Sequence, residues 1–397
     1  MWADRHVVVG VTGGIACYKS CHLVRHLVES GAQVDVVLTR GAAEFVRPLT
    51  FEALSGRPVL SSLWEPDRAL AHIQLGRDAD LIIVAPATAH ALARLAHGMA
   101  DDFLTALVLA TTKPVLLAPA MNDAMYAAAP TQDNLRRLID RGMTIVGPDT
   151  GPLAEGPADR PGRMTEPDVI VRHAARLMRK SAAWSGRRVV VTAGPTREAI
   201  DPVRVVTNRS SGKMGYRIAE AAWFRGAEVT LLAGPGAEPD PDGVTVERIE
   251  STAELDAAGR RHPPAADVLV MAAAPGDYPP VAPTDQKRPR EQGTLTLEFE
   301  PTADILLGTK AVRKPGALIV GFALETGDAV AKAAAKLARK GLDLIVANDA
   351  TEPGAGFEVD TNRVTLVDRD GGQQSVPLQS KGAVAEAILD AIEVRLG

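Results

Sequence analysis

The sequence predicts an α/β protein with two doubly wound, mainly parallel sheets, one in each half of its 397 residues. Three observations carry that expectation. The first half opens on an apolar run, His6–Val11, a Gly-containing turn "TGGIA" and a helical pattern to about Ser30; Gly31 stops it and "QVDVVLT" follows. The second half opens in the same way, with "RRVVVTAG" (187–194), a polar loop "NRSSGKMG", a helical "YRIAEAAWFR", Gly226 and "EVTLLAG". In both halves the strands are near-continuous apolar runs separated by helices, the pattern of a parallel sheet covered on both faces.

The remaining elements follow in chain order. "DLIIVAPA" (80–87), "PVLLAPAM" (114–121) and "TIVGP" (144–148) read as further buried strands of the first half. "GPLAEGPADRPGRM" (151–164) holds three Gly, three Pro and four charged residues, so neither strand nor ordinary helix is expected there. Long loops inside a compact chain are often lids over a site. The helical "PDVIVRHAARLMRK" closes the first half, and a boundary near 180–187 gives domains at 1–182 and 187–397. "VLVMAAA" (268–274), "ALIVGFA" (317–323) and "DLIVAND" (343–349) are strands of the second half, with loops at "AEPDPDG" (237–243) and "PPVAPTDQKRPREQGT" (279–294). "NRVTLVDRDGGQQSVPL" reads as a hairpin turning at Asp370–Gly371–Gly372, followed by a closing helix.

Composition narrows the function classes. Apolar content of 46% and charged content of 23% are those of a globular domain pair. A net charge of −5 offers nothing to nucleic acid or an anionic membrane, and 4% aromatics are too few for a base-stacking platform. "MWADRHVVVGVTGG" lacks the pattern of a secretory signal, and no run of eighteen apolar residues occurs. Cys17 and Cys21 sit four apart in a helical pattern and make no disulfide framework. The expectation is a cytoplasmic protein acting on small molecules.

Four stretches carry candidate chemistry. "GVTGGIACYK" lacks the G-x-G-x-x-G spacing, and the second strand ends in Thr39–Arg40 with no acid for a ribose hydroxyl; this argues against NAD and for a mononucleotide phosphate. Gly13 and Gly14 serve a plain tight turn equally well. "NRSSGKMG" offers hydroxyls, two Gly and Lys213 at a helix start without Walker spacing, and Ser210 or Ser211 could simply cap that helix. "APAMNDAM" (118–125) ends a buried strand, where Asn122 could bind a carboxylate or turn the chain. His72 in "LAHIQL" is either an acid/base group or a satisfied structural histidine.

Together these stretches resemble one family, the bacterial bifunctional phosphopantothenoylcysteine decarboxylase/phosphopantothenate–cysteine ligases of coenzyme A biosynthesis. The first half carries "VTGGIACYK", "AHIQL", "APATA", "PAMNDAM" and a flap ending "GRM". The second carries "TAGPTREAIDPVRVVTNRSSGKMG", "AAAPGDY", "GFALET", "KLARKGLDLIVAND" and "GFEVDTNRVTLV". The resemblance implies a flavodoxin-like FMN domain followed by a Rossmann-like ligase domain. Gly13, Gly14, Ile15, Ala16 and Thr39 would hold FMN, with Pro86, Ala87 and Thr88 nearby. His72 would be the acid/base residue and Asn122 would bind the departing carboxylate. In the ligase half, CTP and Mg²⁺ would activate 4′-phosphopantothenate for attack by the cysteine amine. Met271, Ala272, Ala273, Asp277, Ala303, Asp304, Ile305, Leu306 and Phe322 would hold the cytidine side. Lys287, Lys336 and Lys340 would meet developing negative charge, and Asn208 would position the acyl-cytidylate. On residue spacing alone, Lys332, Lys336 and Lys340 form a solvated helix face. Homo-oligomers built from trimers of the first domain and dimers of the second are also implied, with the flavin at a subunit contact.

This chain departs from the family pattern at several site positions. Glu155 stands where the family has a proton-donating flap cysteine and would be the catalytic proton donor in its place if the closed flap desolvated it, and the flap is about one residue longer. His90 replaces an expected Asn, Pro275 and Gly276 alter "AAAVADY", and Lys287–Arg288–Pro289–Arg290 replaces a Lys-rich stretch. The alternatives are a diverged paralogue acting on another carboxylate or cysteinyl substrate, and a non-enzymatic flavin-binding regulator.

Overall fold

The computed structural model describes residues 2–64, 70–287, 289, 294–349, 351–352, 354–356 and 359–396. The chain divides into two compact units, Met1–Met178 and Arg179–Gly397. Among the described residues, no helix is long and apolar enough to cross a membrane.

The first unit is built on five parallel strands, β1 (His6–Val11), β2 (Gln33–Leu38), β3 (Leu81–Ala87), β4 (Val115–Pro119) and β5 (Thr144–Ile145), in the order β2-β1-β3-β4-β5. Every residue of β3 and β4 is buried, as a strand covered on both faces requires. Helices α1 (Cys17–Glu29), α2 (Pro48–Ser55), α3 (Ala71–Asp78), α4 (Ala89–His97), α5 (Phe103–Ala110), α6 (Asp123–Ala127), α7 (Ala129–Asp140) and α8 (Pro167–Arg179) fill the connections and the end of the unit. Helix α1 buries Cys17, Ser20, Leu23, Val24 and Leu27, the three-to-four spacing of one face. Gly10 lets α5 press on β1: a Cβ there would lie 2.4 Å from Leu104 Cδ1. The β5 run is shorter than its apolar pattern, because Gly147 turns the chain at φ +77° ahead of Pro148.

The stretch 151–164 corrects the expectation that it contains no strand. Pro161–Arg163 (β7) pairs antiparallel with Asp149–Thr150 (β6), so the loop is the arm of a small hairpin. Pro161 is tolerated because it opens a two-stranded edge.

The second unit carries an eight-stranded sheet. Its strands β8 (Arg188–Ala193), β11 (Glu228–Ala233), β12 (Thr245–Arg248), β13 (Val268–Met271), β14 (Leu318–Glu325), β15 (Leu344–Asp349), β16 (Thr361–Asp368) and β17 (Gln373–Ser380) run in the order β12-β11-β8-β13-β14-β15-β16-β17. The pairs from β12 to β15 are parallel, and the β16–β17 hairpin adds the antiparallel edge. A separate ribbon joins β9 (Arg197–Ala199) and β10 (Val205–Thr207). Helices α9 (Lys213–Phe224), α10 (Thr252–Arg261), α11 (Ile305–Gly308), α12 (Ala329–Lys340) and α13 (Lys381–Leu396) complete it. Trp184 anchors the core fully buried, its indole N–H donating to Glu393 Oε2 at 2.8 Å.

Candidate active sites at the two sheet ends

Both sheets reverse their strand order beside the first strand of the unit, at β1/β3 and β8/β13, and ligands of open α/β sheets bind at the carboxyl end of such a point. A cavity lies at each.

The first cavity, of about 900 Å³, is lined by residues following β1 (Thr12–Ala16), β2 (Thr39–Gly41), β3 (Thr88–Ala91) and β4 (Ala120–Asn122). Gly13 is required by close approach, since a Cβ would sit 2.7 Å from the carbonyl carbon of Gly41. The Thr12 hydroxyl donates to the Pro86 carbonyl at 2.7 Å, and Thr88 caps α4 by accepting from the Ala91 amide. This glycine cradle, flanked by backbone amides and hydroxyls above a largely apolar hollow, suits a planar ring system with a phosphate tail.

Asn122 is fixed in orientation. Its Oδ1 accepts from the amides of Ala124 (2.9 Å) and Met125 (3.3 Å), capping α6, so its amide hydrogens face the cavity. There the Nδ2 donates to Oε1 of Glu155 on the hairpin arm. The arm does cover the cavity: Pro152–Glu155 and Gly162–Met164 line it. The arm's return strand is held by Lys19, buried, whose ammonium donates to the Met164 carbonyl and to Glu166, both at 2.8 Å. That hydrogen bond holds the Glu166 carboxyl below its ordinary value.

Of the predicted residues, Gly13, Gly14, Ile15, Ala16, Thr39, Thr88, Asn122 and Glu155 line this cavity. Pro86 and Ala87 lie behind the wall, Ala87 fully buried. His72 stands apart from the lining, in the first turn of α3, edge-on to Phe103 at 6.2 Å, and its buried Nδ1 has no hydrogen-bond partner among the described residues. Lys19, Arg94 and Thr105 also line the cavity and were not foreseen. The only hint of Arg94 was its position one turn after His90 on the same helix face.

The second cavity, of about 550 Å³, is lined by Asn208 and Ser210–Gly215, by Met271–Pro275 at the end of β13, and by residues from β14, α11 and α12. Helix α9 approaches β8 closely enough that a Cβ on Gly215 would lie 2.5 Å from Ala193 Cβ. Asn208 Nδ2 donates to the carbonyls of Ala274 (3.0 Å) and Pro275 (2.8 Å), joining the two loops across the cavity. Lys340 pairs with Asp304 at 2.7 Å. Burial raises the Asp304 carboxyl, but Lys340, the Leu307 amide and Arg339 together leave it below its ordinary value. Lys381, also in the lining, is buried, and that burial lowers its ammonium.

The structure gathers Asn208, Met271, Ala272, Ala273, Asp277, Ala303, Asp304, Ile305, Leu306, Phe322, Lys336 and Lys340 around this space. Lys332, from the same helix face, instead donates to the Thr326 carbonyl at 2.8 Å. Lys332 is exposed and outside the lining, whereas Lys336 and Lys340 reach the cavity. Lys287 is exposed and outside the lining, and Arg288 and Arg290 lie outside the described residues. Asn348, Asn362 and Lys381 were not foreseen, because they come from strand ends and a helix start whose patterns read as scaffold.

Comparison with known proteins follows the same division. Residues 1–179 match the Flavoprotein family model and residues 184–395 that of the DNA/pantothenate metabolism flavoprotein C-terminal domain. The coenzyme A biosynthesis bifunctional protein CoaBC of Vibrio cholerae is 44% identical over 99% of both chains. That of Bacillus subtilis is 44% identical over 99% of this chain and 97% of its own, and that of Mycobacterium tuberculosis 45% over 98% and 96%. A solved C-terminal domain of a CoaBC protein is 40% identical, covering 54% of this chain and 98% of its own, with a TM-score of 0.46. Full-length similarity to two-activity enzymes does not favour the paralogue and regulator alternatives. The chain belongs to the family of bifunctional CoaBC proteins of coenzyme A biosynthesis.

Proposed function

We propose that the second cavity joins 4′-phosphopantothenate to cysteine at the expense of CTP, and that the first cavity decarboxylates the product to 4′-phosphopantetheine. The observation that carries this reading is a pair of cavities on one chain that matches CoaBC relatives from end to end. One has a glycine cradle, and the other is ringed by lysines.

In the ligase, a carboxylate is a poor electrophile until one of its oxygens is bonded to a phosphoryl group that can leave. Attack of the phosphopantothenate carboxylate on CTP forms an acyl-cytidylate and releases pyrophosphate; the cysteine amine then forms the amide and releases CMP. Lys336 and Lys340 meet the charge that develops on the phosphates, with Lys340 held in place by Asp304. Met271–Ala273, Asp277, Ala303–Leu306 and Phe322 hold the cytidine side, and Asn208 positions the acyl-cytidylate. Lys287 enters from the resemblance alone. Mg²⁺ would travel with the triphosphate, whose oxygens are its usual ligands.

In the decarboxylase, Gly13–Ala16, Thr39 and Thr88 would hold FMN. FMN, when bound, supplies a reversible two-electron oxidation of the cysteinyl thiol, which turns the adjoining carboxylate into a group that leaves as carbon dioxide. Asn122 donates to that carboxylate before it departs. Exposed Ile15, Tyr18 and Met125 at the same cavity would be covered by a neighbouring copy of the chain. His72, outside the lining of its own chain's cavity, would then serve as acid and base at the cavity of a neighbouring copy. The cytoplasm, where the substrates are made, is the proposed location.

Pyrophosphate release from CTP, with and without 4′-phosphopantothenate, tests the ligase reading. Release is expected only with both present, and it should fall by about 100-fold in Asn208→Ala. Release that ignores phosphopantothenate contradicts the reading.

A further inference from the structure

The hairpin arm over the first cavity brings a carboxylate onto the one amide there whose orientation is fixed. The Asn122 side-chain oxygen is committed to the start of α6, and Nδ2 donates one of its two hydrogens to Glu155. The position of Glu155 is equally set by backbone. Leu153 and Gly156 exchange hydrogen bonds of 2.8 and 3.1 Å, which places Ala154 and Glu155 at the corner of a tight turn. Gly156 permits that turn at φ +132°. The far end of the arm is pinned to the Asn122 loop, with the Met121 amide donating to Gly162 at 3.0 Å. A Cβ on Gly162 would lie 2.6 Å from the Met121 carbonyl, so the two segments cannot be spaced further apart by a larger residue without losing this register.

We propose that Glu155 is a built-in competitor for the substrate's carboxylate. It occupies the Asn122 amide while the cavity is empty, and it is displaced when a substrate carboxylate arrives. The inference rests on the reading that Asn122 receives that carboxylate. Two ionised carboxylates brought to the same Nδ2 repel each other strongly. Substrate binding therefore swings the turn tip away, at a cost in affinity. The decarboxylated product carries no such group, so Glu155 returns to Asn122 as the product is released. The lid thus discriminates between substrate and product by charge.

The test uses the full-length, FMN-loaded protein and two unreactive probes. The serine analogue of 4′-phosphopantothenoylcysteine keeps the carboxylate but has no thiol to oxidise; its ethanolamine counterpart lacks the carboxylate. In Glu155→Ala the carboxylate probe is expected to bind about tenfold tighter, with the ethanolamine probe unchanged. Glu155→Gln should show the same direction, and KM for the true substrate should fall in both variants. Flavin absorbance reports that the variants stay folded. Unchanged or weakened binding of the carboxylate probe, or an equal change for both probes, overturns the competitor role. A collapse in kcat with both probe affinities unchanged also overturns it, assigning Glu155 to the chemical step instead. If neither probe binds the wild-type protein, the decarboxylase reading itself fails, and this inference with it.

Discussion

Gly13 shows how one residue can decide a cofactor site. The backbone of Gly41 comes so close that an added methyl would lie 2.7 Å from a carbonyl carbon, and backbone cannot yield as a side-chain tip can. Gly13→Ala should therefore push the two loops apart and weaken FMN binding by about tenfold or more, read as flavin content after purification. The sequence made Gly13 visible as a turn and left open whether the turn served a ligand. Asn122 was legible in the same partial way, as either a turn former or a carboxylate ligand. The structure shows that capping fixes the amide and points its hydrogens into the cavity, so the turn role leaves the amide free to serve as a ligand group. Lys19 and Lys381 were not legible at all, because a buried lysine on a helix is invisible until its partners are in place.

At the scale of elements, periodicity carried most of the fold. Continuous apolar runs located the central strands, since burial on both faces leaves no room for a polar alternation. Their ends were less legible: "TIVGP" yields two paired residues because a positive-φ glycine intervenes, and the Pro- and Gly-rich arm yields a short strand because edge pairing tolerates Pro. One cross-element contact makes a pH prediction. His6 on β1 lies 2.6 Å from Asp35 on β2, which Arg57 also contacts at 2.6 Å. The Asp35 hydrogen bond raises His6 above its ordinary 6.5, against the opposing effect of burial. Burial raises Asp35, but the His6 and Arg57 hydrogen bonds outweigh it and leave it below its ordinary 3.8. The His6 contribution is therefore complete below pH 6.5 and is lost as pH climbs through its raised native value; that of Asp35 is lost as pH falls through its lowered one. Because the pair is partly exposed, no more than about 1 kcal/mol is expected. The melting temperature of wild type should exceed that of His6→Gln by a few degrees at pH 6, and the lead should vanish by pH 9. A lead that grows with pH would contradict the assignment.

At the scale of the whole molecule, each unit has its own sheet, its own core and its own cavity. Residues 1–182 and 183–397 expressed separately should both fold, the first retaining flavin and the second retaining pyrophosphate release. Calorimetry and flavin absorbance check this, and an unfolded fragment would mean that a core crosses the boundary. The division into two halves was legible because the same strand–turn–helix–strand opening occurs twice. The composition of each cavity was not, because loops far apart in sequence converge only once the sheet order is set. The most direct test of the two-site account supplies the FMN-loaded protein with CTP, Mg²⁺, 4′-phosphopantothenate and carboxyl-labelled cysteine, and follows pyrophosphate and labelled carbon dioxide together. Equal amounts of the two, with carbon dioxide lagging behind pyrophosphate, are expected; pyrophosphate without any labelled carbon dioxide would contradict the claim that both cavities work in series.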